Sequence, residues 1–186
     1  MNKALVLALI AAAGLAAGCA GNAKSKAARL KNPAPCPNVS VLSDAARAVE
    51  FDGDQTIENV AYTAEILSVE LSCRYFADEP IKASLIIDLA FGRGGKGLEK
   101  GHNYAYWVAV TRSDIEVIEK AEFLIPVEFD KDRNVRIAKE KIDEILIPRK
   151  DNEVSGTNFE VVVGLVLTPQ QAIFNRTGKS LKFPEL

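Results

Sequence analysis

His102 is the only histidine in the chain. Any imidazole chemistry must run through it, and a multi-histidine metal centre is excluded. A Ser-His-acid triad could draw on Ser84, Ser113 or Ser155, but no Gly-x-Ser-x-Gly elbow exists to present a nucleophilic serine. The expected place of His102 is an exposed position beside the glycine-rich stretch that precedes it.

That stretch, Gly92-Arg-Gly-Gly-Lys-Gly97, has the look of a phosphate loop. It lacks the Gly-Lys-Ser/Thr ending, and no helix pattern follows it. A flexible hairpin loop is the expected reading. Asp52, Asp54 and Glu58 match part of a calcium loop, but Ile57 stands where the obligatory glycine belongs. They read as a solvated turn. Glu140, Asp143 and Glu144 could supply a carboxylate pair, yet nothing fixes their spacing across a cleft. They read as a charged outer face. Tyr104, Tyr106 and Trp107 are the candidate contact surface if one face of their strand is uncovered, and core packing is the favoured reading. No residues are assigned a catalytic role, a cofactor or a metal.

The elements that must carry these residues are mostly strands. Val39 to Leu42 is a short strand signal, and 44–51 is ambiguous. Over Asn59–Phe76, Val60, Tyr62, Ala64 and Ile66 alternate with other residues, and then the phase slips by one to Leu67, Val69, Leu71, Cys73 and Tyr75. With no Gly or Pro at the slip, one bulged strand is expected rather than two. Ala77–Pro80 is a turn, after which Ile81, Ala83, Leu85, Ile87, Leu89 and Phe91 line one face. Asn103–Thr111 is apolar in both phases, which suits a central strand covered on both sides. Ser113-Asp114 turns the chain. Ile115–Phe129 alternates again, with Pro126 pushing the strand to an edge or a bulge. Residues 135–148 fit helix or strand, and the strand neighbours favour strand. Phe159–Leu167 is a last strong strand. Thr168, Pro169 and Gln171 then form a helix start with a capping box, and the helix is expected to stop before Gly178. Roughly seven strands and one terminal helix imply an antiparallel β-sandwich. An immunoglobulin-like version is one form of it, although the order Cys36, Cys73, Trp107 is not the immunoglobulin signature.

The start of the chain carries a different kind of information. One lysine, Lys3, precedes an apolar run from Ala4 to Ala13 and a small-residue segment ending at Cys19. The run is too short to span a bilayer and reads as a signal peptide over 1–18. Leu15-Ala16-Ala17-Gly18-Cys19 resembles the lipobox of bacterial lipoproteins, with Ala16 where the family usually has a larger aliphatic residue. The resemblance implies that Cys19 is lipid-modified and begins the mature chain. Anchoring to the cell envelope follows, and Ala20 in place of Asp favours the outer membrane, facing the periplasm. With Cys19 taken by lipid, Cys36 and Cys73 remain as a pair in an oxidising compartment, and a disulfide between them is expected. Two metal-ligand thiols are the alternative, but they lack partner ligands.

Residues 20–35 carry Lys24, Lys26, Arg29 and Lys31 with no acid, and read as a flexible basic linker. The domain is then expected over 36–178, with 179–186 as a tail. Cys36-Pro-Asn-Val-Ser-Val-Leu42, Ser72-Cys73-Arg-Tyr75, Tyr106-Trp-Val-Ala-Val-Thr111 and Val163-Gly-Leu-Val-Leu-Thr-Pro-Gln-Gln171 resemble an uncharacterised alphaproteobacterial lipoprotein family. That resemblance adds no activity. Charge is balanced, with 23 Lys and Arg against 25 Asp and Glu, which offers no footprint for nucleic acid. The expectation is a lipid-anchored, non-enzymatic envelope protein that binds another envelope protein. A periplasmic carrier of a small or lipidic ligand is the alternative, and a hydrolase is the third option.

Overall fold

Period-two alternation of apolar side chains gives this chain its strands. The structure is a computed structural model that describes residues 35–112 and 116–180. The signal peptide, Cys19, the linker up to residue 34, the Ser113-Asp114 turn, Ile115 and the end of the tail lie outside the described residues. Among the described residues there are eight strands and one α-helix: β1 (Asn38–Val41), β2 (Arg47–Phe51), β3 (Val60–Arg74), β4 (Ile81–Arg93), β5 (Gly101–Arg112), β6 (Glu116–Glu128), β7 (Val135–Ile147), β8 (Glu160–Leu165) and α1 (Pro169–Arg176). The strands form two sheets, ordered β1-β8-β5-β6 and β2-β3-β4-β7. Their inner faces share one apolar core. The fold is a β-sandwich with a short C-terminal helix.

All strand pairs are antiparallel except β1 with β8, which is parallel. The immunoglobulin option is not taken. That fold places its first, second, fifth and fourth strands in one sheet, whereas here β2, β3 and β4 are successive neighbours and β7 closes the row. The ambiguous segment 44–51 resolves into a 3-10 turn, Ser43–Ala45, followed by β2.

The phase slip in β3 is a bulge. Ile66 pairs with Leu89 and Ser68 with Asp88, so Leu67 has no partner on β4. Before it Ala64 and Ile66 face the core, and after it Val69, Leu71 and Cys73 do. Leu67 itself is left 47% exposed. β4 keeps its alternation, burying Ile81, Leu85, Ile87, Leu89 and Phe91 completely. The uncertain segment 135–148 is β7, drawn into a strand because β4 offers it a full edge. Pro126 lies on β6, an edge of its sheet, where a missing N–H leaves no ladder bond broken on the outer side.

The glycine-rich stretch is corrected. Gly92 and Arg93 end β4, and β4 and β5 belong to different sheets. The segment is therefore a crossover between sheets and not a hairpin. It is bonded down on the start of β3: Gly94 N–H donates to Ala61 O at 2.8 Å and Lys96 N–H to Val60 O at 3.2 Å. A Cβ on Gly94 would stand 2.1 Å from Val60 O, so only glycine lets the backbone approach this closely.

α1 has both halves of its capping box. Gln171 N–H donates to Thr168 Oγ1 at 3.3 Å, and Thr168 N–H donates to Gln171 Oε1 at 2.8 Å. Pro169 opens the helix, and Gly178, at φ 73°, follows its end. Asn175 Nδ2 ties the helix to the carbonyls of Asp44 and Arg47 at 2.8 and 2.7 Å.

A disulfide joins Cys36, just before β1, to Cys73 on β3, with Cα atoms 5.5 Å apart. It links one sheet's leading strand to the other sheet. Beside it, the Arg149 guanidinium lies 4.4 Å over the Tyr75 ring and donates to the carbonyls of Ala77, Glu79 and Val154. The Tyr75 hydroxyl donates to Pro35 O and accepts from Gly156 N–H, each at 3.1 Å. Reduction of the disulfide, or Cys73→Ala, should lower stability by about 2–4 kcal/mol, since the unfolded chain regains a large loop. Urea unfolding with and without reductant reads this as a drop in midpoint. An unchanged midpoint would show that the polar knot alone holds this end.

Candidate functional site

The three aromatic residues of β5 do not share a surface. Tyr104 and Tyr106 are on one phase of the strand and Trp107 is on the other, so the pleat sends them to opposite faces. Tyr106 is 2% exposed and stacks on Phe123 with ring centroids 5.0 Å apart. Tyr104 packs on Phe91 at 4.5 Å. Both are core residues and leave the candidate contact surface. Trp107 remains on the outer face of the β1-β8-β5-β6 sheet.

There the indole is pinned flat. Its Nε1 donates to Leu165 O at 3.2 Å, and Lys120 Nζ sits 5.3 Å from the ring centroid. Gly164 makes room for it: a Cβ there would meet Trp107 Cζ2 at 2.5 Å and Ala45 Cβ at 2.9 Å. Its cross-strand neighbours are mixed: Ala105 pairs with Leu124, Thr111 with Val117 and Ala109 with Val162, while Trp107 itself stands opposite Glu122 and Ala109 opposite Lys120. Leu124 is 77% and Val117 61% exposed. At the β1 end of this face Leu42, Thr111, Val117 and Val162 line an open cavity of about 540 Å³, with Glu116 and Glu160 at its margin. Covered on both sides was thus half right for β5. Ala109 is buried on the outer side, while Ala105 and Trp107 are only half-covered.

His102 is likewise not the exposed loop residue expected. It lies on β5, stacked on Tyr62 with ring centroids 4.1 Å apart, edge-on to Tyr104, and with Nε2 3.2 Å from Glu50 Oε1. Tyr62 and Glu50 belong to the other sheet, so the imidazole bridges the two. Its recorded partners include neither Ser84 nor Ser155, and Ser113 lies outside the described residues. No triad is assembled from the described candidates. Asp52, Asp54 and Glu58 are exposed, and among the described residues no group of three or more His, Cys, Asp or Glu is arranged to hold a metal. Glu140 leans toward Tyr106, whereas Asp143 and Glu144 are exposed on the outer side of the second sheet.

No known protein family, curated protein or solved structure matches this chain. The site is therefore read from its own geometry.

The buried tyrosines set a limit in alkali. Burial, with the Glu140 charge adding to it, pushes the Tyr106 hydroxyl up to about 12. Burial, reinforced by Glu50 and Tyr62, also raises that of Tyr104 well above its ordinary value. A raised tyrosine favours the neutral form in the folded state. Its stabilisation is complete below about pH 10, where an unfolded tyrosine titrates, and is lost as pH rises toward the folded value. Unfolding between about pH 10 and 12 should accompany tyrosinate formation, read together by circular dichroism and near-ultraviolet absorbance. Tyr106→Phe should shift the transition upward in pH; tyrosinate formation complete before any loss of structure would contradict the assignment.

Proposed function

We propose that this protein is a lipid-anchored component of a bacterial cell envelope, with a non-catalytic role in binding another envelope protein. The observation that carries the binding role is the set of apolar side chains Trp107, Leu124 and Val117 on one outer sheet face, interleaved with Lys120 and Glu122 of β6. A rigid aromatic held flat over a glycine, near exposed leucine and valine side chains and flanked by Glu122 and Lys120, has the make-up of a protein-contact centre. Export is supported by the Cys36–Cys73 disulfide, which suits an oxidising compartment. The lipobox-like segment ending at Cys19 supplies the anchor in this reading, and the basic linker a tether of about 20–25 Å. The cavity lined by Leu42, Thr111, Val117 and Val162 opens on the outer surface and not between the sheets, so the carrier reading gains no support from it.

Two experiments test the two halves. Metabolic labelling with a fatty-acid analogue should mark the wild-type chain, and Cys19→Ala should abolish the label and release the protein from membranes. Labelling that survives Cys19→Ala would refute the anchor. For the contact face, a photo-crosslinking amino acid at Leu124 should give one discrete envelope-protein adduct in intact cells. The same probe at Glu70, on the outside of the other sheet, should not. Equal adducts from both positions would dispose of the Trp107 face as the binding surface.

A further inference from the structure

The outer face of the second sheet holds a different chemistry near the β3–β4 turn. Arg74 on β3 stands directly opposite Lys82 on β4. Like charges in directly opposed positions destabilise a strand pair. Among the described residues neither cation has a carboxylate within ion-pair distance. Further along the same face the charges are matched: Asp88 accepts from Lys139 and from Ser68, both at 2.9 Å. The Arg74–Lys82 pair is not matched in this way.

One row in from these cations, Ser72 faces Ser84, with hydroxyl oxygens 2.8 Å apart. Beyond Ser84, β7 bulges. Ala83 pairs with Ile145 and Leu85 with Ile142, so Asp143 and Glu144 together oppose Ser84. These six side chains line an open cavity of about 250 Å³. Reading across the face, it runs from two cations, over two hydroxyls, to two carboxylates. Asp143 is engaged by Lys141 at 2.6 Å, while Glu144 makes no ion pair among the described residues.

We propose that this pocket binds a small zwitterion, an oxyanion joined by a short chain to an ammonium group, as in phosphoethanolamine. The oxyanion sits between Arg74 and Lys82 and accepts from the serine hydroxyls. That placement relieves the like-charge opposition, and a guanidinium is suited to two-pronged hydrogen bonding of such a group. The ammonium lies toward Glu144 and Asp143. Strand spacing puts the two poles about 5–10 Å apart, the span of a short linked zwitterion. A bare anion gains from the cations but meets the carboxylates; a bare amine has the reverse problem. The site lies on the opposite sheet from the Trp107 face and stands independently of the protein-binding reading. Its ligand chemistry is shared by a membrane lipid headgroup and by a free metabolite.

The test uses the full chain in nonionic detergent, following the amide resonances of Ser72, Arg74, Lys82 and Ser84. O-phosphoethanolamine should move them saturably, with a dissociation constant on the order of 1 mM for a small, open site. Inorganic phosphate and ethanolamine should each bind about tenfold more weakly. Arg74→Gln and Lys82→Gln should each weaken O-phosphoethanolamine binding about tenfold or more. Glu144→Gln should weaken it while strengthening inorganic phosphate. Lys139→Gln, on the same face outside the pocket, should change nothing. Because these side chains are exposed, circular dichroism should confirm an unaltered fold in every variant. Absence of saturable shifts, indifference to Arg74→Gln and Lys82→Gln, or phosphate binding as tightly as O-phosphoethanolamine would each overturn the proposal. Vesicles of phosphatidylethanolamine and of phosphatidylglycerol then separate the sources. Shifts with the former alone assign a lipid headgroup, and shifts with the free compound alone assign a soluble ligand.

Discussion

Side-chain parity along β4 is the constraint on which the rest of the sandwich depends. Ile81, Leu85, Ile87, Leu89 and Phe91 are all fully buried, so every second residue of this strand is committed to the core. A one-residue slip in pairing would turn that entire set outward. Both neighbours of β4 carry an extra residue relative to it, β3 at Leu67 and β7 at Asp143–Glu144. Each absorbs that residue as a bulge, which keeps its core-facing side chains in phase with β4 at the cost of one misdirected position. On β3 the misdirected side chain is a half-exposed leucine. On β7 two carboxylates are brought opposite a serine. The same packing rule thus explains both the intact core and the local chemistry on the outer face.

The two ends of the sandwich are closed by different means. At one end the disulfide and the Arg149–Tyr75 stack fasten the β3–β4 turn, the loop before β8 and the approach to β1. At the other, His102 on β5 lies between Tyr62 and Tyr104 and reaches Glu50 on β2. An imidazole used this way gains stacking area and a carboxylate partner, which accounts for a lone histidine without a reaction. The crossover from β4 to β5 passes over this end, and its glycines let the backbone bond directly to Val60 and Ala61.

Much of the fold was legible because the informative signals are local. The bulge at Leu67 showed as a phase change within one uninterrupted run, and the helix start showed as Thr168, Pro169 and Gln171 at fixed offsets. Pro126 restricted β6 to an edge or a bulge, and β6 lies at an edge. What was not legible is non-local. Periodicity cannot say which sheet a strand joins, so Gly92–Gly97 read as a hairpin when it is a crossover. The parallel pairing of β1 with β8 spans 120 residues and leaves no mark in either segment. Core packing, the favoured reading of Tyr104, Tyr106 and Trp107, holds for the two tyrosines, while the opposite phase of Trp107 puts it on the outer face. His102 read as exposed because its neighbours in sequence are polar, while its partners Tyr62 and Glu50 are distant in sequence. The Arg74–Lys82 opposition required the register of β3 on β4, which sequence alone does not fix.

The outer faces of the two sheets are consequently not interchangeable. On the β1-β8-β5-β6 face, small residues at Ala105, Ala109 and Gly164 flatten the surface around Trp107, and charge enters at Glu160 on β8 and at Lys120 and Glu122 on β6. On the β2-β3-β4-β7 face, the outward phase carries Glu70, Arg74, Lys82, Asp88, Lys139 and Lys141, a hydrated surface by composition. A solvated face gains nothing from an unmatched cation pair unless its charge is answered from outside, because the opposition of Arg74 and Lys82 costs stability whenever the pocket is empty. Cations on an exposed edge can serve to block strand addition, which would suit Arg74, where β3 runs on beyond the end of β2, but not Lys82, which lies on β4 between β3 and β7. The pair is therefore better explained by a ligand than by defence of the fold.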